Sequence, residues 1–272
     1  GANFMIAETG STAIVTNEGN GDLTQTLAKM HIVLPTPEKI APTLEDASTL
    51  LRILARSATG QEYSVYTTFS SGPKRSEDLD GPSSYHVIIL DNGRSEMVGS
   101  EFEDMLRCIK CGACLMHCPV WSTIGGHAYG WVYPGPMGSV LTPNIVGLED
   151  SCHLPNASTF CGRCQEVCPE RIPLPRMLRK HRENAYNAKL GAPIERTGIA
   201  VWAFFARHPM LYRFATGLAM KALKLMAGSK GKLRSVPLAS GWTGARDLPA
   251  PEGQTFMAQY RARKQRRAGG GS

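Results

Sequence analysis

The amino-acid sequence predicts an α+β protein built from three successive parts. Residues 1–97 alternate short β-rich runs with one amphipathic helical segment, an order that favours a layered α/β unit. Residues 98–190 hold all eight cysteines among glycines and prolines, which favours a small α-helical metal-binding domain. Residues 191–272 begin with an aromatic-rich amphipathic segment and become rich in Gly, Ser, Pro and basic residues after Gly228. We therefore expect helices followed by an extended, flexible basic tail.

The first part shows strand signals on both sides of one helix signal. Strands are predicted at residues 4–7, 12–15, 32–34, 64–69 and 86–90, the last of them as a buried strand. A helix is predicted to begin after Thr43, because Thr43 and Asp46 have the spacing of a capping box. Leu51 and Leu54 fall on one face of this helix, and Gly60 is expected to end it.

Helices are predicted in the later part of the chain, and the absence of a long apolar run together with the cysteine usage indicates the cellular location. A helix is expected at residues 176–190, between Pro175 and Gly191. The aromatic segment at residues 199–226 is typical of a core or a subunit interface rather than a membrane anchor. No apolar run reaches the roughly 18 residues that a membrane span needs. Closely spaced cysteines point to a reducing compartment, so we expect a cytoplasmic protein whose only membrane contact would be peripheral.

The formal net charge of +7 would suit an acidic partner such as a nucleic acid. Much of the excess, however, lies in one short stretch: Arg261, Arg263, Lys264, Arg266 and Arg267. The count also treats every cysteine as neutral, whereas metal-bound cysteines are thiolates. We therefore expect no specific nucleic-acid partner.

The first cysteine motif is Cys108-x2-Cys111-x2-Cys114-x3-Cys118, followed by Pro119. Three thiolates at this spacing wrap one iron–sulfur cube, and the fourth, just before proline, serves a second cluster. The motif therefore predicts one half of a two-cluster, bacterial-type ferredoxin domain.

The second motif, Cys161-x2-Cys164-x3-Cys168, repeats this pattern but has Ser158 where a full copy would place its first cysteine. Exchange of the last cysteines between the motifs predicts two ligand sets. Cluster A takes Cys108, Cys111, Cys114 and Cys168, a complete set for [4Fe–4S]. Cluster B takes Cys118, Cys161 and Cys164.

The nuclearity of cluster B stays open at this point. With three thiolates it is either [3Fe–4S] or [4Fe–4S] with a further ligand from Cys152, from the Ser158 oxygen, or from water or an external molecule. Two tetrahedral zinc sites are the alternative, but zinc motifs usually pair Cys-x2-Cys units across a longer spacer.

Between the motifs lies a glycine-rich aromatic loop, residues 125–136. We expect its aromatic rings to pack over the clusters and to shield them from water. A second interpretation makes His127, Tyr129 or Tyr133 a contact to the cluster surroundings, to a partner or to a quinone. No residue is predicted to be catalytic, and the chain has no glycine fingerprint of a nicotinamide or flavin site.

Several longer runs resemble one family. DMLRCIKCGACLMHCPVW, GGHAYGWVYPGPMGSVLTP and LPNASTFCGRCQEVCPERIPLP closely resemble the LutB family, also called LldF, the iron–sulfur subunits of the L-lactate utilization complex LutABC. FMIAETGSTAIVTNEGNGDL and EKIAPTLEDASTLLRILARSATGQ look like the end of that family's LUD domain, and GWTGARDLPAPEGQTFMAQYR resembles its C-terminal tail. The resemblance therefore runs along nearly the whole chain.

The resemblance implies an architecture and a role. Residues 1–97 would be the C-terminal part of a CoA-transferase-like LUD domain, 98–190 the two-cluster ferredoxin domain, and 191–272 the LutB-type C-terminal region. Relative to the family the chain lacks the first part of the LUD domain, so a ligand pocket that needs it would be incomplete. Family members work with two partner subunits, LutA-like and LutC-like, in oxidising L-lactate to pyruvate. This chain would be their non-catalytic electron-carrying subunit.

Three other interpretations remain at this stage. Turn residues after strands form a possible ligand pocket: Glu8, Asn17, Glu18, Gly19 and Asn20. The clusters would equally serve another electron donor, of the glycerol-3-phosphate or heterodisulfide type. In the last interpretation the chain is a LUD-type ligand-binding enzyme whose clusters are only structural.

Overall fold

In the computed structural model, which describes residues 1–236 and 240–269, the chain divides into two compact units, residues 1–190 and residues 191–272. The strands are β1 (Phe4–Ile6), β2 (Thr12–Thr16), β3 (Met30–Val33), β4 (Ile40–Ala41), β5 (Tyr66–Ser70), β6 (Ser84–Val87), β7 (Lys232–Leu233) and β8 (Leu248–Pro249). The helices are α1 (Asn20–Thr26), α2 (Leu44–Thr59), α3 (Ala113–Met116), α4 (Pro119–Ile124), α5 (Gly135–Val146), α6 (Leu148–Ser151), α7 (His153–Asn156), α8 (Arg163–Glu166), α9 (Leu174–Asn187), α10 (Pro193–Arg207), α11 (Pro209–Ala227), α12 (Ser240–Thr243) and α13 (Phe256–Gly269). Mixed helices and small sheets confirm the predicted α+β class.

The N-terminal part of the first unit is built on a four-stranded sheet with the order β4-β1-β2-β5. β2 pairs antiparallel with both β1 and β5, whereas β1 pairs parallel with β4. A separate two-stranded parallel sheet joins β3 and β6. Strand, helix and strand therefore alternate here as the sequence predicted.

Helix α2 covers one face of the four-stranded sheet. It starts where the capping box predicts, because the Thr43 hydroxyl accepts from the Asp46 amide and the Asp46 carboxylate accepts from the Thr43 amide. Gly60 ends the helix in the left-handed conformation. Leu51 and Leu54 of its buried face pack against Phe4 and Ala13 of the sheet: this is the core of the N-terminal part.

The strand predicted at residues 86–90 differs from the structure. β6 spans Ser84–Val87, and the side chains of Ile88, Ile89 and Leu90 are exposed rather than buried. Ile88 and Leu90 still donate backbone hydrogen bonds to Val33 and Pro35, so the chain continues beside β3. The prediction of burial was wrong because β6 belongs to a two-stranded sheet, whose faces the described residues leave largely uncovered.

The cysteine-rich part is organised around α5. The first nine residues of this helix are buried, and Met137, Val140 and Leu141 pack in one core with Met177 and Leu178 of α9. The helix begins inside the loop that the sequence placed at residues 125–136. A side chain larger than hydrogen at Gly138 would overlap the Tyr133 carbonyl group, so this glycine permits the close approach of loop and helix.

Helix α9 is shifted from its predicted position. It begins at Leu174, two residues before Arg176, because Pro175 is tolerated in the first helical turn. It ends at Asn187 with Ala188 as its C-cap, so Gly191 does not end it as predicted. The predicted boundary between residues 97 and 98 falls inside the first compact unit, and the boundaries of the three predicted parts stay predictions.

The second unit differs from two expectations. The aromatic segment forms α10 and α11, and its Trp202, Phe204 and Phe214 are exposed, so these apolar faces are not core among the described residues, and the subunit interface stays a prediction. Among the described residues after Gly228, strand structure is limited to the short β7–β8 pair. Residues 256–269 are helical instead, because Ala, Gln, Arg and Lys are strong helix formers. Residues 237–239 and 270–272 of the predicted tail lie outside the described residues.

Within residues 1–236 and 240–269, no helix combines the length and the apolar character that crossing a membrane requires.

Removing the capping hydroxyl tests the start of α2. We expect Thr43→Ala to lower the free energy of unfolding by about 1 kcal/mol, because the Asp46 amide loses its acceptor. Urea unfolding followed by circular dichroism measures this change. Thr43→Ser keeps a hydroxyl and should lie close to the wild type, and equal losses in both variants would contradict the capping role.

Acid sensitivity tests the burial of His181. Its ring stacks on Phe102 with centroids 4.1 Å apart, and its Nε2 lies 3.0 Å from the Val140 carbonyl oxygen. Burial lowers the pKa of His181 below its ordinary value of 6.5. The unfolded chain therefore takes up this proton first as the pH falls, so the contribution of His181 to stability is complete above about pH 6.5 and is lost below it.

We expect His181→Gln to flatten this part of the stability profile between about pH 7 and pH 5. Unfolding free energies of the wild type and the variant at a series of pH values give the comparison. His86→Gln, at an exposed position, should keep the wild-type profile. A wild-type slope in the His181 variant would show that this histidine does not titrate with unfolding.

Candidate iron–sulfur site

The first cysteine motif begins on a tightly curled loop between a 3-10 turn, Glu103–Arg107, and helix α3. Cys114 lies within α3, and Cys118 is the N-cap of α4. Lys110 and Gly112 both adopt the left-handed conformation, with φ of 58° and 79°. Two left-handed residues so close together bend the backbone back on itself, and this bend turns the side chains of the motif towards one centre. Lys110 is a rare non-glycine residue in this conformation, so the loop is strained where the ligands are placed.

The four residues predicted for cluster A are brought together. Cys108, Cys111, Cys114 and Cys168 line one cavity of about 50 Å³. Most of the remaining wall is apolar, formed by Met105, Ile109, Leu115, Met137, Ile172 and Leu174. Cys168, which arrives from the second motif after α8, completes the set of four thiols.

The electrostatics of this cavity fit a positively charged inorganic group. Burial and the neighbouring thiols raise the pKa of Cys108 to about 11 and that of Cys114 to about 12. The pKa of Cys111 is raised too, first by burial. The Cys108, Cys111 and Cys114 thiols resist ionisation beside one another unless a cation compensates them, and the irons of a cluster supply that charge.

Backbone amides lower these same pKa values. The amides of Lys110, Ala113 and Met137 hydrogen-bond to the sulfurs of Cys108, Cys111 and Cys114, respectively. Amide-to-sulfur hydrogen bonds are one of the means by which proteins set the potential of a cluster. The residues present therefore have the chemistry of a four-thiolate iron–sulfur site.

The second motif repeats the backbone of the first. Phe160 and Gly162 are left-handed, with φ of 56° and 83°, at the positions that correspond to Lys110 and Gly112. α8 follows this loop as α3 follows the other.

The thiols predicted for cluster B also approach one another. The pKa of Cys164 is raised to about 11, mainly by burial and then by the Cys161 and Cys118 thiols. The Cys164 thiol in turn contributes to the raised pKa of Cys114. The two sets of thiols are therefore neighbours.

The two candidate sources of a further ligand differ in their surroundings. Cys152 lies half-buried between α6 and α7, and it does not line the cavity. Ser158 occupies the position in the second loop that Cys108 has in the first. Its Oγ accepts from the Phe160 amide at 3.2 Å, as the Cys108 sulfur accepts from the Lys110 amide.

The aromatic loop between the motifs places its three candidates differently. His127 is exposed, whereas Tyr133 is half-buried under the Lys110 ammonium, 4.8 Å from the ring centroid. Tyr129 is buried, and burial together with the Cys118 thiol raises its pKa to about 12. Tyr129 is thus placed next to a predicted cluster ligand, and Tyr133 packs against the core that contains Cys164.

The residues proposed for a ligand pocket are not gathered at one place. Glu8 precedes β2, whereas the others, residues 17–20, follow it, at the opposite end of a five-residue strand. A strand of that length separates its ends by roughly 16 Å. Glu8, Asn17, Glu18 and Asn20 are exposed at these turns. The structure therefore gives a shared pocket no support.

A buried ion-pair network next to the first loop was missed by the sequence analysis. Glu38 and Arg94 are only 4% and 3% exposed, and the Arg94 Nε lies 3.1 Å from the Glu38 Oε2. The Lys110 Nζ, from the cysteine loop, lies 3.4 Å from the other Glu38 oxygen. Burial alone would raise the pKa of Glu38, but hydrogen bonding and the two cations hold it below its usual value.

The same loop also enters the core of the N-terminal part. Ile109, between Cys108 and Lys110, is buried with Phe4, Leu51 and other residues of the sheet and α2. No local pattern marks Ile109 or Glu38 as special. The position of Lys110 inside a cysteine motif was the one available signal.

Three domain families match the chain in succession. The LUD domain matches residues 1–90, the 4Fe-4S dicluster domain residues 104–172, and the lactate utilisation protein B C-terminal domain residues 179–265. The part of the chain that carries both cysteine motifs is thus an iron–sulfur domain.

Curated relatives match over almost the whole chain. The uncharacterized electron transport protein YkgF of Escherichia coli (strain K12) is 42% identical over 262 residues, 96% of this chain and 55% of that protein. Lactate utilization protein B of Bacillus cytotoxicus is 41% identical over 265 residues, and that of Geobacillus thermodenitrificans 42% over 266; each match covers 97% of this chain and 56% of the relative. The chain therefore spans about half the length of the curated relatives it matches. No solved structure matches it.

Neutralising Glu38 tests the ion-pair network. We expect Glu38→Gln to lower the free energy of unfolding by about 3–5 kcal/mol, because it leaves the buried Arg94 guanidinium without a counter-charge. Anaerobic urea unfolding measures the loss. Glu18→Gln, an equal charge change at an exposed turn, serves as the control. A loss below about 1 kcal/mol for Glu38→Gln would place the pair among weak surface ion pairs.

Proposed function

Because the chain belongs to the lactate utilization protein B family over the part of that protein that it spans, we propose that it is an electron-carrying iron–sulfur subunit of a lactate-oxidising complex. Two clusters bound by its cysteines would supply one-electron transfer between a donor and an acceptor on other subunits. We further propose LutA-like and LutC-like partner subunits and a cytoplasmic location. Lactate would be oxidised at a partner or a shared site.

One observation carries this proposal. Four thiols from two distant motifs surround a single apolar cavity, and a second group of thiols lies beside it. We assign Cys108, Cys111, Cys114 and Cys168 to a [4Fe–4S] cluster A. Apolar walls would exclude water, and the amide hydrogen bonds would stabilise the thiolates.

The neighbouring thiols suit electron transfer between two centres. The Cys164 thiol is near enough to raise the pKa of Cys114. Cys114 and Cys164 belong to different ligand sets, so the two clusters would lie side by side. A structural role alone gives no reason for two such centres to adjoin. This arrangement therefore favours an electron carrier over an enzyme with structural clusters.

For cluster B we propose Cys118, Cys161 and Cys164 as the thiolate ligands. The repeated loop geometry favours Ser158 over Cys152 as the source of any fourth protein ligand, since Ser158 corresponds to Cys108. With no fourth ligand from the protein, water or an external molecule, the site would hold [3Fe–4S]. Electron paramagnetic resonance of the oxidised protein distinguishes the two forms, because an oxidised three-iron cluster is paramagnetic and gives a signal there.

Exchanging single cysteines tests the ligand assignment. We expect Cys168→Ser, in protein purified without oxygen, to lose about half of its iron and acid-labile sulfide, because cluster A loses one of its four thiolates. Iron and sulfide analysis measures the loss. Cys152→Ser is the matched control and should keep the wild-type content. Iron loss in Cys152→Ser would return that thiol to the ligand set of cluster B.

Lactate-driven reduction tests the donor. We expect L-lactate to reduce the clusters of the chain when the partner subunits are present and not when they are absent, because the substrate site is proposed to lie on or with the partners. Visible bleaching of the cluster absorption follows the reaction. Reduction by glycerol-3-phosphate but not by lactate, under the same conditions, would overturn the proposed donor while leaving the electron-carrying role in place.

A further inference from the structure

Tyr129 is turned inward from an otherwise exposed stretch of the aromatic loop. It ends a 3-10 turn, His127–Tyr129, and the left-handed Gly130, with φ of 71°, redirects the chain immediately after it. His127 and Ala128 are exposed, whereas Tyr129 is only 3% exposed. The turn therefore buries one large polar side chain that solvent would otherwise hydrate.

The buried phenol has no conventional hydrogen-bond partner among the described residues. Its hydroxyl oxygen is inaccessible to water and makes no hydrogen bond of normal distance and angle. Buried hydroxyl groups are nearly always paired, because an unpaired one loses its bonds to water without replacement. The orphaned group therefore points to an acceptor that becomes available in the functional state.

After burial, the group that acts on this hydroxyl is the Cys118 thiol, whose sulfur interacts with it outside the normal distance and angle of a hydrogen bond. Cys118 is itself buried and is the last cysteine of the first motif, which the proposed function assigns to cluster B. As a thiol it is a weak acceptor, but as a metal-bound thiolate it is a charged one, and hydrogen bonds to charged acceptors are the stronger class.

We propose that Tyr129 donates a hydrogen bond from its phenol to the Cys118 sulfur when cluster B is bound, and that this bond raises the reduction potential of cluster B. The inference rests on the proposed function, since it needs Cys118 as a ligand. Tyr129 acts through the ligand and is a positioning residue. A donor to a thiolate stabilises the reduced cluster more than the oxidised one, because reduction adds negative charge to the sulfurs.

The buried position of Tyr129 also gives it a second effect on the surroundings of Cys118. Cluster B has only three cysteines in its motifs, so its remaining surroundings matter more for its potential than those of cluster A. The buried Tyr129 side chain fills space beside Cys118 that water would otherwise enter. The exclusion of water and the hydrogen bond from the phenol are two distinct contributions to the reduction potential of cluster B. Removing the hydroxyl alone separates them, because the ring still excludes water.

A redox titration of Tyr129→Phe tests the proposal. The full chain is purified without oxygen, and the cluster B signal is followed by electron paramagnetic resonance as the potential is lowered. We expect the reduction equilibrium of cluster B to become about tenfold less favourable, which for one electron is about 59 mV. Pulsed electron–nuclear double resonance should also lose one deuterium-exchangeable proton coupling. Tyr63→Phe, the same change at an exposed tyrosine, should alter neither.

The outcomes are distinguishable. An unchanged potential with the exchangeable proton retained in Tyr129→Phe would overturn the proposal. Loss of cluster B iron from a variant that unfolds at the wild-type midpoint would also overturn it, because Tyr129 would then be a ligand. If the phenylalanine variant does not fold, 3-fluorotyrosine at position 129 replaces it. The more acidic phenol should shift the potential upward, and no shift would count against the donor. Wild-type protein without iron and sulfide would instead refute the proposed function itself.

Discussion

The burial of thiols around a small apolar cavity is the constraint on which the rest of the first unit depends. Burial protects a cluster from water, but it also opposes the thiolate state that binds iron, as the raised pKa values of Cys108 and Cys114 show. Backbone amides at the Cys108, Cys111 and Cys114 sulfurs counter this effect. The left-handed backbone of the first loop recurs in the second, where the Phe160 amide donates to the Ser158 hydroxyl instead of to a sulfur.

The first cysteine loop contributes both to the thiol-lined cavity and to the core of the N-terminal part. Its thiols face the cavity, whereas Ile109 enters the core formed by the sheet and α2, and Lys110 pairs with Glu38. The N-terminal part therefore contributes directly to the geometry of the loop proposed to hold cluster A. Burial lowers the pKa of Lys39, the residue after Glu38, to about 8, and the charges of Lys110 and Cys108 also act on it. A change of charge near Glu38 would therefore change the electrostatic potential at the sulfurs.

The sequence predicted those features that depend on local spacing. The grouping of the cysteines follows from loops of fixed length, and the start of α2 follows from Thr43 and Asp46, three residues apart. The hydrogen bonds to Glu38, by contrast, join residues 56 and 72 positions away, and no short pattern contains them. The exposure of residues 88–90 was missed for the same reason, because burial of a strand depends on what the rest of the chain places over it.

The shared loop sets limits on how this protein can be divided. A cut between residues 97 and 98, where composition changes, would expose the sheet core to water at the place where Ile109 packs. It would also take Lys110 from Glu38 and leave that buried carboxylate with Arg94 alone. Neither piece would keep the interface that gives it shape, so a ferredoxin fragment excised at this point would not be a minimal electron carrier.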